Sequence, residues 1–473
     1  MKNIKNSVLP KDIPRDNGGF FTKDKAFYKT FFRLMILLVL QNVLTYAVNV
    51  ADNILLGAYN QSTLSAVEAV NQIQYILQQF TIMGLGEGLI VIASHYWGKK
   101  DTKAIKKLSQ IAMFFGVLAG IIVTAICFIS PLSIIKIFTN DPLVQKDALE
   151  FLSIIRYSYI VFIITSILIV TLRSMQIVSF AFKMSIATMI INLAIDYVLV
   201  YGRFGAPELG IIGSAIGTLA ARIIEFFVVL IYYIKKTSPN KIKPREIFNF
   251  DKDLLKDYLN VSVPCVMSAL LFSCATAIHT AIFGHISSDA MAASSAVGTL
   301  FQFLKMVPVG AASAASVLIG ELVGSQKYEK LRAYVKTLQI LFLAIGVIIG
   351  ICLLILGPPI LSLYKITPNA KKFAMQMILI QSVICVGTSY EMPSQIGIIR
   401  SGGDTRYVMI SDMIYSWLFT VPFGLLSAFV FKLPLFVIVI VLNCDQIIKC
   451  LTVGIKVNSF TWVKKLTKEK QIS

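Results

Sequence analysis

Four polar side chains lie inside apolar stretches of the chain: Asp52, Asn192, Asp196 and Thr218. A carboxylate in hydrocarbon costs several kcal/mol unless it is paired, hydrated or protonated, so each acid in such a stretch is a functional candidate by default. Asp196 follows Asn192 by one helical turn, which sets both on one helix face. Asp52 falls near the end of the first apolar run and Thr218 near the start of the sixth. On the topology argued below, all four sit at similar depth in the outer half of a membrane. Two carboxylates, an amide and a hydroxyl make an oxygen-rich pocket. That chemistry suits a hard monovalent cation such as Na⁺, or a proton held by one of two neighbouring carboxyls. Asp52 taken alone also fits a helix-end carboxylate that touches lipid headgroups.

Other candidates are less specific. His279 and Glu391, with Tyr390 beside it, could line a central cavity, and Met267 and Met306 would add adaptable apolar surface there. His279 fits a titrating or substrate-contacting group and equally a neutral packing histidine. Glu68, Glu87, Glu225 and Asp412 also fall in or near apolar runs, while Glu321 suits an ion pair at a membrane boundary. The glycines of Gly84-Leu-Gly-Glu-Gly88 look superficially like a phosphate loop, but they stand within an apolar run with no strand before them. No HExxH, GxSxG, Walker A or paired CxxC motif occurs. ATP-driven transport and intramembrane proteolysis therefore have no visible machinery, and an enzyme is not expected.

The elements that must position these residues are helices. Of the 473 residues 56% are hydrophobic and only 15% charged, against about 25% charged in soluble proteins. Apolar runs long enough to cross a core of about 30 Å recur along the whole chain. Twelve spans are expected, at roughly 31–56, 65–93, 104–130, 148–172, 176–201, 208–235, 254–283, 290–320, 333–357, 372–398, 407–430 and 434–458. Backbone polar groups in hydrocarbon must pair within the segment, so each span is expected to be helical. The net charge of +19 does not indicate nucleic acid, because of where it lies. With the N-terminus inside and basic residues toward span ends counted with the adjoining segment, 34 Lys/Arg fall on the inside and 8 on the outside, leaving Arg222 and Lys305 unassigned to either side. That bias places both termini in the cytoplasm. The seven cysteines all sit in apolar segments without CxxC pairing, which argues against a disulfide framework or a structural metal site. The polar, basic N-terminus lacks a small-residue cleavage site, so the first span is expected to be retained.

The chain also carries an internal repeat. Val50–Gly57 aligns with Ala277–Gly284, and Arg173 with Arg400, at an offset of 227 residues. Asp52 thereby aligns with His279, and the region of Asp196 with Phe423 after Pro422, so the second half offers no copy of the acid pocket. The fold expected is all-α integral membrane, with two six-helix bundles related by a pseudo-two-fold axis along the membrane normal. The expected segments are 1–30 (cytoplasmic), 31–235 (first bundle), 236–253 (linker), 254–458 (second bundle) and 459–473 (cytoplasmic tail). Gly213-Ser-Ala-Ile-Gly217 and Gly310-Ala-Ala-Ser-Ala-Ala315 are expected to be close-packing seams.

These motifs, in this order and spacing, resemble the multidrug and toxic compound extrusion (MATE) family from about Phe31 to Trp462. The supporting stretches are Val50-Ala-Asp52-Asn53 with Gly57, Ser65-Ala66, Gly98 with its basic loop, Leu172-Arg173, Gly205–Gly210, Gly213–Thr218 and Arg400–Thr405. The resemblance implies export of amphipathic, often cationic, small molecules driven by inward Na⁺ or H⁺ flow. It implies a cation site of a helix 1 Asp, a helix 5 Asn and Asp, and a helix 6 Thr, which Asp52, Asn192, Asp196 and Thr218 match one by one. No proline occurs between Pro14 and Pro131, so proline-assisted bending of the first helix, proposed for some relatives, cannot operate here as such. Acids that some relatives carry in helices 7 and 10 are replaced by His279 and, less securely placed, Glu391. The implied setting is a bacterial inner membrane, with lipid around a monomer, no cofactor beyond the coupling ion, and no nucleic acid. A flippase for a lipid-linked precursor is the alternative. It is disfavoured because a pyrophosphate cavity would need more intramembrane cations than Arg222 and Lys305.

Overall fold

In the computed structural model the described residues are 21–139, 141–237, 251–362 and 366–467, and they are nearly all helical. Most of the 236–253 linker, the first twenty residues and the end of the tail lie outside them, as does the side chain of Asn53 from the repeat motif. Eleven helices among the described residues are long and apolar enough to cross a membrane, or twelve spans when one bent pair is taken as a unit. They are α1 (Lys25–Tyr59), α2 (Ser62–Gly98), α3 (Thr102–Ile129), α4 (Pro142–Ile155 with Ser158–Ser174), α5 (Val178–Val200) and α6 (Gly210–Thr237). The second set is α7 (Lys252–Ile286), α8 (Ser288–Gly324), α9 (Tyr328–Leu361), α10 (Pro368–Arg400), α11 (Thr405–Val430) and α12 (Leu435–Ser459). Eight of the twelve expected spans fall inside their helices; 104–130, 176–201, 208–235 and 434–458 overrun theirs by one or two residues at one end or both.

Three departures from simple spans have local causes. Span α4, expected as one helix over 148–172, is two helices bent by 55°. The Ser158 hydroxyl donates to the Ile155 carbonyl at 2.7 Å, and the Arg156 guanidinium lies 3.8 Å from the Phe128 ring centroid. Both interactions turn the chain at the bend. Next, α2, α10 and α11 contain π-helical segments at Gln79–Gly86, Pro393–Arg400, Met413–Thr420 and Leu426–Val430. Pro393 opens the one in α10, where its missing N–H removes a helical hydrogen bond. Finally, the described part of the 459–473 tail is folded rather than a free polar end. Trp462 is fully buried and its indole donates to the Val457 carbonyl at 2.8 Å. Lys464 and Lys456 bind Asp404 at 2.7 and 2.9 Å. Burial opposes ionisation of Asp404, yet the hydrogen bonds from these two lysines overcome it and hold the carboxyl below the usual aspartate range.

The helices divide into two compact units, and the division does not fall at the linker. One unit comprises Leu40–Ala93 and Asp101–Val266. The other comprises the described residues up to Val39, Ser94–Lys100, and those from Met267 onward. The breaks within α1 and α7 come after Val39 and after Val266, which are 227 positions apart. Thus the opening stretch of each half's first helix packs with the other half's helices, and the repeat is obeyed in the exchange itself.

Glycine makes both exchanges possible by removing side-chain bulk at the crossing. A Cβ on Gly84 of α2 would lie 2.6 Å from Val266 Cγ2, and one on Gly88 would lie 2.7 Å from Ser262 Cα. The Tyr258 hydroxyl donates to the Leu85 carbonyl at 2.9 Å between them. In the other unit a Cβ on Gly310 would overlap Val39 and lie 3.2 Å from the Met35 carbonyl. The start of α1 is fixed on α9 as well, where Asp24 accepts from Lys330 at 2.8 Å and from Tyr334 at 2.7 Å. Those hydrogen bonds, Lys330 first, hold its carboxyl at about 2. The end of α2 meets the end of α8 backbone to backbone. A Cβ on Gly324 would overlap the His95 carbonyl, and one on Gly98 the Glu321 carbonyl. By contrast, Gly298 of α8 has nothing within 4 Å of its Cβ position. Gly324→Ala is therefore expected to destabilise the detergent-solubilised protein by about 1–3 kcal/mol, and Gly298→Ala to leave it unchanged or slightly stabilised, as read from paired thermal melts.

Candidate functional site

Three of the four pocket residues meet on the seam between α5 and α6. Gly213 and Gly217 stand one helical turn apart on α6 and face α5. A Cβ on Gly213 would lie 2.7 Å from the Leu199 carbonyl carbon, and one on Gly217 would overlap Asp196 Oδ1. The expected seam is real, and it brings the α6 backbone directly against the Asp196 carboxyl. Asn192 Nδ2 then reaches Asp196 Oδ2 at 3.3 Å and Thr218 Oγ1 at 3.4 Å. Asn192 is 5% exposed and Asp196 2%.

Asp52 comes to this seam on α1. The Tyr201 hydroxyl at the end of α5 donates to the Leu55 carbonyl at 2.7 Å, one turn beyond Asp52. Tyr59 and Tyr201 meet edge to face with centroids 6.1 Å apart. Gly210 opens α6 at φ +53, and a Cβ there would lie 2.8 Å from the Tyr59 hydroxyl, so a side chain is excluded by both strain and space. This clamp holds Asp52 within electrostatic range of Asp196. An apolar groove of about 380 Å³ lies alongside, lined by Ala51, Leu55, Leu193 and Tyr197.

The donor count explains what the pocket lacks. Asp52 Oδ1 and Asp196 Oδ1 are buried oxygens without a hydrogen-bond donor among the described residues. Asp196 has one amide donor in Asn192, which it shares with Thr218. The nearest fixed positive charge is Arg222, one turn after Thr218 on α6 and within electrostatic range of Asp52. Arg222 is drawn aside, however: its Nη1 lies 3.2 Å from Glu225 Oε2 and its Cζ 4.9 Å from the Phe162 ring centroid. With all groups ionised, Asp52 and Glu225 share one guanidinium and Asp196 has only the like charge of Asp52 beside it, which leaves two negative charges uncompensated. Orphaned buried oxygens and missing positive charge fit a mobile cation or protons at Asp52, Asn192, Asp196 and Thr218. Elsewhere in this unit Glu87 of α2 is closed off by Arg173, with 3.9 Å between Oε1 and Nη1.

The residues singled out for a central cavity do not form one group. Tyr390 is buried and its hydroxyl donates to Gln339 at 2.8 Å, so it ties α10 to α9. Met306 is buried, while Met267 is exposed. His279 is half-buried, its Nε2 has no partner among the described residues, and it lies within electrostatic range of Asp445. Glu391 is buried in a charge cluster around Lys449, whose Nζ lies 3.8 Å from Glu391, 3.4 Å from Asp412 and 3.4 Å from Asp445. Lys449 was assigned by sequence to the inside flank of the last span; the structure puts it within α12 and buried. Asp445 and Lys449 are the residues that sequence reasoning missed. The repeat held the signal, since Thr218 and Arg222 plus 227 fall on Asp445 and Lys449. The second half thus has a charged counterpart of the pocket after all, though one built of different groups.

Comparison with known proteins agrees with this architecture. The family model MatE matches twice, over residues 38–198 and 264–426, once in each half. "Probable multidrug resistance protein NorM" of Thermotoga maritima is 25% identical over 410 residues, covering 84% of each chain. Multidrug resistance protein MdtK of Photorhabdus laumondii is 22% identical, covering 80% of this chain and 82% of that one. Among solved structures, a mutant of the Vibrio cholerae MATE transporter VcmN superposes with a TM-score of 0.83 at 14% identity, covering 93% and 98% of the two chains. A MATE protein crystallised in a bent conformation gives 0.81 at 17% identity, with the same coverage.

The α5–α6 seam can be tested directly. Gly217→Ala is expected to insert and fold normally but to displace the Asp196 carboxyl. The expected result is roughly tenfold weaker dependence on the driving ion, equal to about 1.4 kcal/mol of affinity, as measured by titrating that ion in proteoliposome transport.

Proposed function

The chain belongs to the MatE family of membrane transporters, and on that premise we propose that it is a secondary exporter whose driving ion binds at Asp52, Asn192, Asp196 and Thr218. The observation that carries the reading is the buried Asp196 carboxyl, with one oxygen bonded to Asn192 and the other unpartnered. Burial makes an ionised carboxylate there costly in the empty pocket, and an arriving Na⁺ or proton removes that cost. Thr218 and the Asn192 side-chain carbonyl add neutral oxygen ligands, which suits Na⁺. Asp52, on a different helix, makes occupancy depend on how α1 sits against α5. An ion so held would bias two arrangements of α1, the minimum that coupled exchange needs.

The cargo is proposed to be an amphipathic, often cationic, small molecule, as the names of the multidrug relatives suggest. The location is proposed as a bacterial cytoplasmic membrane with both ends of the chain inside, which the distribution of basic residues supports.

The test uses purified protein in liposomes with a Na⁺ gradient and a proton gradient imposed separately, and uptake of a fluorescent cation such as ethidium as readout. One of the two gradients is expected to drive transport. Asp196→Asn and Asp52→Asn are each expected to abolish gradient-driven transport while the protein still inserts and melts cooperatively. Full transport in both variants would remove the ion role from these residues.

A further inference from the structure

The repeat offset aligns three members of the first-half pocket with three residues that meet in the second unit. Asp52 corresponds to His279, Thr218 to Asp445, and Arg222 to Lys449, each pair 227 positions apart. His279 and Asp445 lie within electrostatic range of one another, as do Asp52 and Arg222. The two basic residues, however, are held differently. Arg222 is paired with one carboxylate, Glu225, and rests on Phe162, which leaves Asp52 and Asp196 without a salt bridge among the described residues. Lys449 stands among three carboxylates, at 3.4 to 3.8 Å from Glu391, Asp412 and Asp445, and 5.9 Å from the Tyr415 ring centroid.

An ammonium is a compact point charge, and the carboxylates around Lys449 supply the oxygen acceptors that a hard cation also takes. Among the described residues no three acidic, His or Cys side chains are arranged to hold a metal ion by themselves, and the positive charge among Glu391, Asp412 and Asp445 is the Lys449 ammonium. A second lysine, Lys305 of α8, lies within electrostatic range of Glu391 and Asp445. With all groups ionised, Lys449 and Lys305 stand against Glu391, Asp412 and Asp445, whereas Arg222 stands against Glu225 and Asp52 and no cation is paired with Asp196 among the described residues. Glu391, Asp445 and Lys449 are all nine-tenths buried or more, so solvent does not supply the difference.

We propose that Lys449 is a resident cation filling the second half's counterpart of the ion pocket, so that only the first half exchanges an ion. The duplicated chain keeps two charged pockets but makes one of them permanent. Lys449 thereby sets the number of ions exchanged per cycle, and its removal turns the second half into a cation site. The proposal rests on the reading of Asp52 and Asp196 as the exchanging site only for its statement about the first half.

The experiment measures ²²Na⁺ binding and thermal melting in Na⁺ against choline, on the purified full chain. The background is Asp52→Asn/Asp196→Asn, which removes the first-half site. That protein is expected to bind no Na⁺ and to melt identically in both salts. Adding Lys449→Gln is expected to create about one Na⁺ site per chain, with melting raised by Na⁺ as ligand linkage requires. Adding Asp445→Asn to that triple variant is expected to weaken the new site at least tenfold, and Lys449→Arg in place of Gln is expected to create none. Absence of Na⁺ binding in a folded Lys449→Gln protein would overturn the proposal. Na⁺ binding or Na⁺-dependent melting in Asp52→Asn/Asp196→Asn protein with Lys449 intact would overturn it too, and that arm needs no change at Lys449. A failure of the first-half reading shows elsewhere, as unaltered ion-driven transport in the Asp52→Asn and Asp196→Asn variants.

Discussion

A charge within a membrane span must be compensated inside the protein, because the hydrocarbon around it supplies nothing. The polar interior of this chain is organised by that requirement. Glu87 is met by Arg173, Glu225 by Arg222, and Glu391, Asp412 and Asp445 by Lys449. Asp196 has an amide and no cation, and Asp52 has a buried oxygen with no donor among the described residues. The pattern separates acids paired with a cation of the protein from Asp52 and Asp196, which have none among the described residues. A buried ion pair adds little net stability. Its use here is to fix which charges are not available.

Backbone proximity sets the geometry on which this depends. Gly217 lets α6 approach until its backbone touches the Asp196 carboxyl, and Gly213 sustains the approach one turn earlier. Gly84, Gly88 and Gly310 do the same where the first stretches of α7 and α1 join the opposite half's helices. At Gly213 the approach is to the α5 backbone, which has no rotamer to yield, whereas at Gly217 it is to the Asp196 side chain. By contrast α1, which carries Asp52, is continuous through the boundary after Val39, so one helix belongs to both units.

The sequence shows much of this, and what it hides has physical causes. The twelve spans are legible because each is a long apolar run, and the Asn192–Asp196 pair is legible because helical periodicity puts both on one face. Thr218 follows from the same depth argument, and the structure brings it to Asn192 as expected. The bend in α4 is not legible, since it arises from a hydroxyl capturing one carbonyl and an arginine finding one ring. Lys449 is misjudged because the tally of basic charge counts residues toward the end of a span with the flank. A lysine near the end of an apolar run then counts as flank, although carboxylates from two other helices and from α12 itself bury it. The repeat offset carries the correction, since it aligns Arg222 with Lys449 as it does Arg173 with Arg400. The exchange after Val39 and Val266 depends on packing between helices far apart in sequence, which no local pattern reports.

The central claim is that Asp196 changes its charge partner when the driving ion binds. Infrared difference spectroscopy of the purified protein, between ion-free and ion-loaded states, observes that carboxyl directly. The expected result is a protonated-carboxyl band that disappears on adding Na⁺, or appears on acidification if protons drive the cycle, and that is missing in Asp196→Asn. A difference spectrum with no carboxyl band, or one unchanged by Asp196→Asn, would contradict the account.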